Sequence, residues 1–220
     1  MAIERPPQPR IRSALYVPGN KLDWMLKAPQ YGSDALIFDL EDSVPPSDKD
    51  RARQLVAQAI DTISQSGRPL LFVRLNPLPT GRTEDDIAAV VRPGLFGVYL
   101  PKDQGPEDVR RLDALLSEAE ERAGLPVGRI IIRPMLESAR AIREAYEVAM
   151  ASPRVGYLGM GAAGNGDFAR ALGFRETPER LETLYYRSKV ILDARAAGIP
   201  FPLGGLWMKI KDQEGLRRYA

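Results

Sequence analysis

The sequence contains neither cysteine nor histidine. The lack of cysteine excludes disulfides and thiol nucleophiles, and the lack of histidine excludes Ser-His triads and imidazole zinc sites within this chain. Proton transfer must therefore use Asp, Glu, Lys, Tyr or water. A bound metal must have oxygen ligands, which favours Mg²⁺ or Mn²⁺. Because nothing points to an oxidising compartment, we expect a cytoplasmic protein.

The sequence also lacks long apolar runs and a strong excess of charge. The chain has 31 Lys and Arg against 29 Asp and Glu, for a net charge of +2. This balance argues against a nucleic-acid partner, and no apolar run approaches the length that crosses a membrane. With 220 residues, 44% of them hydrophobic, the chain can bury one large core. We therefore expect a single domain over residues 1–220.

Short apolar segments alternate with amphipathic ones along the chain. The apolar segments predict seven strands, at 14–17, 35–40, 70–75, 97–100, 130–136, 156–160 and 202–207. Helical spacing of apolar residues predicts helices at 48–63, 107–122 and 177–197, the last with Thr177 as N-cap and Pro178 at the first helical position. This alternation is typical of βαβ units and a parallel sheet.

Seven strands are one fewer than a TIM (β/α)8-type barrel contains, so in such a fold the eighth strand would be absent from this chain. A doubly wound sheet is the alternative fold. The barrel is favoured because polar or charged residues follow several different strands, as they do around the mouth of a barrel enzyme.

The most distinctive polar group follows the second predicted strand, in ALIFDLEDSVPPSDKDRAR at 35–53. Further charged residues follow later strands, which gives the set Asp39, Glu41, Asp42, Arg74, Lys102, Glu137 and Asp167. Each has an ordinary structural explanation. Arg74 could be an ion-pair partner of the acids, Glu137 and Asp167 could be helix N-terminal residues, and Lys102 could be a solvated loop residue.

The same segments carry a resemblance to a known family. RSALYVPGNK, DALIFDLEDSVPPSDKDRAR, FVRLNP, YLPK, PMLES and GNGDFARALG occur in this order. They resemble the citrate lyase beta-subunit-like enzymes of the HpcH/HpaI aldolase superfamily from about Arg12 to the end of the chain. The resemblance implies a Mg²⁺-dependent carbon–carbon lyase. Its substrate would be a 3-hydroxyacyl-CoA such as citryl-, citramalyl- or malyl-CoA, and its products a 2-oxo acid and an acyl-CoA. It also implies a homotrimer or hexamer.

The resemblance also assigns roles to residues. Glu137 and Asp167 match the Mg²⁺ ligands, and Arg74 matches the arginine that grips the 2-oxo acid. The acids Asp39, Glu41 and Asp42 are expected to form the floor of the site and to orient Arg74.

Coenzyme A is expected near the first strand–helix turn. The matching positions are Gly19, Lys21 and Lys27, with Arg12 as a further candidate.

Three alternatives remain open at this level. Relatives continue into a His-Pro strand and a lid that this sequence does not contain, so the chain is expected to be C-terminally incomplete or to differ from them in activity. The chain could be a class II aldolase that acts on 2-oxo acids without CoA or a malyl-CoA-type thioesterase, and the absent segment adds a non-catalytic barrel subunit as a third alternative.

Overall fold

The computed structural model describes residues 3–160, 166–175, 177, 179–209 and 211–219, and of Ser66 it describes the backbone only. Its sheet has five parallel strands that lie side by side in chain order. They are β1 (Ala14–Pro18), β2 (Ala35–Asp39), β3 (Leu70–Arg74), β4 (Leu95–Leu100) and β5 (Ile131–Pro134). A doubly wound sheet would reverse its strand order, whereas a (β/α) barrel does not. The barrel-type prediction is therefore confirmed, with a sheet that is not closed in the described residues.

Helices follow the strands and cover the outer face of the sheet. They are α1 (Leu22–Lys27), α2 (Lys49–Ile63), α3 (Thr83–Val90), α4 (Pro106–Arg122), α5 (Ala139–Arg143), α6 (Ala145–Met150), α7 (Asp167–Leu172), α8 (Leu184–Ala196) and α9 (Gln213–Tyr219). The predictions of α2 and α4 are correct to within one residue at each end. The assignment of 1–220 to one domain stays a prediction.

The sixth and seventh predicted strands appear only as isolated bridges. Gly159 bridges Met135 on one side and Leu203 on the other. Two glycines in the sixth segment, Gly156 and Gly159, weaken it as a strand because they have no side chain to pack. The order of neighbours around the barrel is nevertheless the expected one.

The prediction for the last long helix was wrong at its start. α8 begins at Leu184, after a 3₁₀ turn at Leu181–Thr183. Arg180 has a φ of 55°, which a helix cannot contain, and Thr177 is hydrogen-bonded through both its N–H and its hydroxyl to the Glu182 carboxylate. These local bonds replace the expected first turn of helix. Pro178 lies outside the described residues.

Alternating side chains give the sheet two buried faces. Leu36 and Phe38 point outward into the main core under the helices, whereas Ile37 points inward with Phe72 and Tyr99. The inner face is rich in aromatic rings, and the Phe72 and Tyr99 centroids are 5.3 Å apart. Residues two positions beyond Ile37 and Phe72 share this inner face, at the carboxyl end of the strands.

None of the helices in the described ranges combines the length and the hydropathy needed to cross a bilayer.

The turn after β1 packs directly against β2. The Gly19 N–H donates to the Asp39 carbonyl at 2.8 Å. A Cβ at position 19 would lie 2.6 Å from that oxygen and 2.9 Å from a Val56 methyl carbon. Glycine is therefore required here by the close approach of the chain to itself.

We expect Gly19→Ala to destabilise the protein by about 1–3 kcal/mol, because the added methyl overpacks this contact. Gly204→Ala is the matched control, since a Cβ at position 204 meets none of the described atoms within 4 Å. It should change stability by less than about 0.5 kcal/mol. Urea unfolding of both variants measures the difference, and equal stabilities would refute the packing argument.

Candidate functional site

The adjacent ends of β2 and β3 carry a two-pronged ion pair. Asp39 and Arg74 are register partners, so their side chains leave the sheet at the same level. Arg74 Nε donates to Asp39 Oδ1 at 2.7 Å, and Nη2 donates to Oδ2 at 2.6 Å. Burial alone would raise the pKa of Asp39, but the hydrogen bonds and charge of Arg74 outweigh it and hold that pKa below its ordinary value.

Glu41 lies between two cations. Its carboxylate is 2.8 Å from Arg74 Nη1 and 2.7 Å from Lys102 Nζ. Burial raises the pKa of Glu41 above its ordinary value in spite of these two neighbours. Asp42 is more exposed, with Lys102 Nζ at 3.3 Å and Arg74 Nη1 at 3.7 Å. The three acids after β2 therefore share two cations. One of these is Arg74, which these acids were expected from the sequence to orient.

Lys102 connects this cluster to the next one. Its backbone has a φ of 53°, an uncommon conformation for a residue with a side chain. In this conformation its N–H donates to Glu137 Oε2 at 3.1 Å, and its Nζ lies 4.0 Å from Asp167 Oδ2. The Lys102 side chain is partly exposed, but its ammonium group is held among the carboxylates of Glu41, Asp42 and Asp167.

Glu137 and Asp167 come together at the same end of the barrel. Burial raises the pKa of Glu137 to about 6, and the negative charges of Glu41 and Asp167 add to the shift. Asp167 is the first residue of α7 and pairs with Arg170 at 2.5 Å. Two carboxylates from different elements thus lie close enough to influence one another.

Comparison with known proteins identifies the family. The model of the HpcH/HpaI aldolase/citrate lyase family matches residues 12–220. The chain belongs to the HpcH/HpaI aldolase/citrate lyase family. This confirms the resemblance seen in the sequence and, at the level of the family, the expectation of a lyase-type enzyme.

Three relatives illustrate the range of this family. The citrate lyase subunit beta of Leuconostoc mesenteroides is 34% identical over 94% of this chain and 67% of its own length. A (3S)-malyl-CoA thioesterase of Cereibacter sphaeroides is 32% identical over 94% of this chain and 66% of its own length. The citrate lyase beta subunit of M. tuberculosis, solved with oxaloacetate and magnesium, has a TM-score of 0.71 and 26% identity over 93% of this chain and 82% of its own. The chain therefore spans about two thirds of the length of the curated relatives.

Gly19, one of the residues expected to contact CoA, is hydrogen-bonded to the backbone of Asp39 in the acid cluster. Gly19 is buried against β2, whereas Lys21 and Lys27 are exposed at the two ends of α1. Arg12 precedes β1 and forms a two-pronged pair with Asp34. It is therefore at the opposite end of the strands from Arg74, and the structure does not bring it to the same site.

One further residue that faces the inside of the barrel was not identified from the sequence. Arg133 interrupts the apolar segment of β5 and is buried beside Tyr99. The available signal was a single arginine in a strand otherwise made of apolar residues.

Arg74→Lys should destabilise the protein by about 2–4 kcal/mol at pH 7, because lysine cannot replace a guanidinium that bonds Asp39 twice and also contacts Glu41. Arg111→Lys, at an exposed pair with Glu84 3.6 Å away, is the control and should be within about 0.5 kcal/mol of wild type. Denaturant unfolding compares them. Equal effects of the two changes would show that the fork geometry of Arg74 is unimportant.

Asp103 lies in the loop that carries Lys102 and is fully buried. Its Oδ1 accepts from the Gly105 N–H at 2.9 Å, and its Oδ2 has no hydrogen-bond partner within the described residues. Burial raises the pKa of Asp103 to about 7, and neighbouring acids on α4 add to the shift. The folded protein therefore binds a proton here that the unfolded chain releases at lower pH.

Because this folded-state pKa is raised, the stability that Asp103 contributes is present below pH ~4 and is lost as the pH rises towards ~7. Asp103→Asn should remove this pH dependence and should be more stable than wild type at pH 8, by an amount bounded at about 4 kcal/mol. Asp23→Asn, on the exposed face of α1, should leave the profile unchanged. Thermal unfolding from pH 4 to 8 tests this, and parallel profiles for Asp103→Asn and wild type would contradict it.

Proposed function

We propose that this protein is a Mg²⁺-dependent carbon–carbon lyase acting on a 3-hydroxyacyl-CoA such as citryl-, citramalyl- or malyl-CoA. In this reaction the 3-hydroxyl group loses its proton and the bond between C2 and C3 breaks. The electron pair goes to C2, which takes up a proton, so that a 2-oxo acid and an acyl-CoA result. The observation that carries the proposal is the convergence of Arg74, Lys102, Glu137 and Asp167 at one end of the barrel in a member of this family.

The metal would be held by Glu137 and Asp167. The described residues contain no group of three or more acidic side chains arranged to surround a metal. Mg²⁺ commonly binds one or two protein carboxylates and completes its shell with water and substrate oxygens, and Glu137 and Asp167 would supply those two carboxylates. When bound, Mg²⁺ would act as a Lewis acid towards the oxygen on the reacting carbon.

The chain's own cations would stabilise negative charge as the bond breaks. Arg74 is fixed in position by Asp39 and Glu41, and its Nη1 and Nη2 each retain a second N–H. A donor that is already fixed in place needs no reorganisation during the reaction, which is what makes such groups effective. Lys102 offsets the charge of Glu41 and Asp42, so the site can accept an anionic substrate.

The CoA part of the substrate is proposed to lie along α1, where Lys21 and Lys27 are exposed. The M. tuberculosis relative solved with magnesium, acetoacetate and coenzyme A supports CoA as a ligand of this protein, and the placement along α1 rests on the sequence resemblance. The homotrimer or hexamer implied by the resemblance stays a prediction.

A thioesterase is the second candidate, because the Cereibacter relative is similar over as much of this chain as the citrate lyase subunits are. Product analysis separates the two functions. A lyase gives a 2-oxo acid and an acyl-CoA, whereas a thioesterase gives free CoA and the intact hydroxy acid. Mass spectrometry of the reaction with each of the three thioesters decides between them, and free CoA as the first product would overturn the lyase proposal.

Glu137→Gln and Asp167→Asn should each weaken Mg²⁺ binding by at least about 10-fold, because each removes one charged ligand without changing side-chain volume. Calorimetric titration with Mg²⁺ measures this without turnover. Glu118→Gln, an exposed change on α4, is the control and should bind as wild type does. Wild-type affinity in either ligand variant would remove that residue from the metal site.

A further inference from the structure

Arg133 is a buried cation that has no acidic partner among the residues that the structure describes. The residue is 5% exposed, and its Nε is buried with no hydrogen-bond partner in that part of the chain. Within the described residues it forms no ion pair with any carboxylate, and its guanidinium lies over the Tyr99 ring at 4.5 Å from the centroid. All the other buried arginines named in the described part of the chain, such as Arg53 and Arg154, contact at least one carboxylate.

The sheet register places Arg133 at the level of the acid cluster. Arg133 pairs with Tyr99, Tyr99 with Arg74, and Arg74 with Asp39. Because register partners in a parallel sheet point to the same face, these four side chains form one ring segment inside the barrel. The Arg74 guanidinium also lies over the ring of Tyr16, 5.2 Å from the ring centroid.

Arg74 and Arg133, the two arginines at this level of the barrel, differ in the charges that surround them. Arg74 is neutralised by Asp39 and Glu41, whereas Arg133 faces aromatic rings and the backbone near Gly159. A Cβ at position 159 would lie 2.1 Å from the Leu203 carbonyl oxygen and 3.0 Å from Arg133 Nη2, so the Gly159 and Leu203 backbones pack closely on this side of the guanidinium. A buried cation is costly unless it is paired, and a planar guanidinium pairs best with a carboxylate.

We propose that Arg133 is a specificity-determining residue that binds a second carboxylate on the 2-oxo acid portion of the substrate. This inference rests on the proposed lyase function and narrows it. The preferred product is then a dicarboxylic 2-oxo acid such as oxaloacetate, and the preferred thioester is citryl-CoA. Pyruvate and glyoxylate carry a methyl group or a hydrogen in place of the carboxymethyl group of oxaloacetate, and they would leave Arg133 unpaired.

The test compares oxaloacetate with pyruvate in wild type, Arg133→Met and Arg133→Lys. Calorimetric binding of each acid in the presence of Mg²⁺ is measured first, followed by kcat/KM for citryl-CoA and citramalyl-CoA. Arg129→Met is the matched control, because it removes the same charge from an exposed position four residues earlier, at the amino end of β5.

Wild type should prefer oxaloacetate, and Arg133→Met should lower this preference by about 10- to 100-fold, the size expected for a lost charged hydrogen bond. Its affinity for pyruvate should stay within about threefold of wild type, as should both affinities in Arg129→Met. Arg133→Lys should retain an intermediate preference, because it keeps the charge but loses the fork. Arg133→Met is expected to fold, since replacing an unpaired buried cation by an apolar side chain of similar length removes a desolvation cost.

Three results would overturn the inference while leaving the lyase function intact. The first is a wild-type enzyme that cleaves its thioesters but binds pyruvate as tightly as oxaloacetate. The second is a preference for oxaloacetate that both Arg133 variants retain. The third is a parallel loss of affinity for both acids in the variants, which would indicate a purely structural role. If wild type binds neither acid and cleaves no thioester, the proposed function fails and this inference fails with it.

Discussion

The two-pronged ion pair between Arg74 and Asp39 is the interaction on which the candidate site depends. It joins the ends of two neighbouring strands at one level and leaves Glu41 to be shared with Lys102. A buried pair of this kind adds little net stability compared with apolar packing, although breaking it by removing one partner typically costs about 3–5 kcal/mol. Its main consequence is therefore geometric: it fixes the direction of a guanidinium and two carboxylates inside the barrel.

The strained backbone of Lys102 follows from the same arrangement. A positive φ at a lysine costs about 1–3 kcal/mol, and such strain persists where surrounding contacts over-determine the conformation. Here the Nζ pairs with Glu41, while the N–H of the same residue donates to Glu137. One residue thereby links the acids after β2 to the carboxylate after β5.

Much of this arrangement could be predicted from the sequence, because strand segments and polar strand ends are local signals. The apolar segments gave β1 to β5, and the order of strands placed Asp39, Arg74 and Glu137 at one end. The start of α8 could not be predicted, since it depends on bonds between Thr177 and Glu182 that compete with the helix. The role of Lys102 depends on a backbone angle, and the isolation of Arg133 depends on what surrounds it in three dimensions. Neither property can be deduced from the residue types alone.

The contrast between the two interior arginines has a consequence for how substrates are distinguished. Asp39 and Glu41 neutralise the charge of Arg74 and occupy most of its N–H donors. Arg74 can therefore donate a hydrogen bond to a substrate oxygen, but it attracts a distant anion only weakly. Arg133 lies at the same level with its charge uncompensated by any carboxylate in the described residues. A site that must hold a polar group rejects a ligand lacking that group far more strongly than an apolar pocket rejects a small change in size. The neutralised arginine therefore suits the step shared by every substrate of the family, and the unpaired arginine suits the part of the substrate that varies.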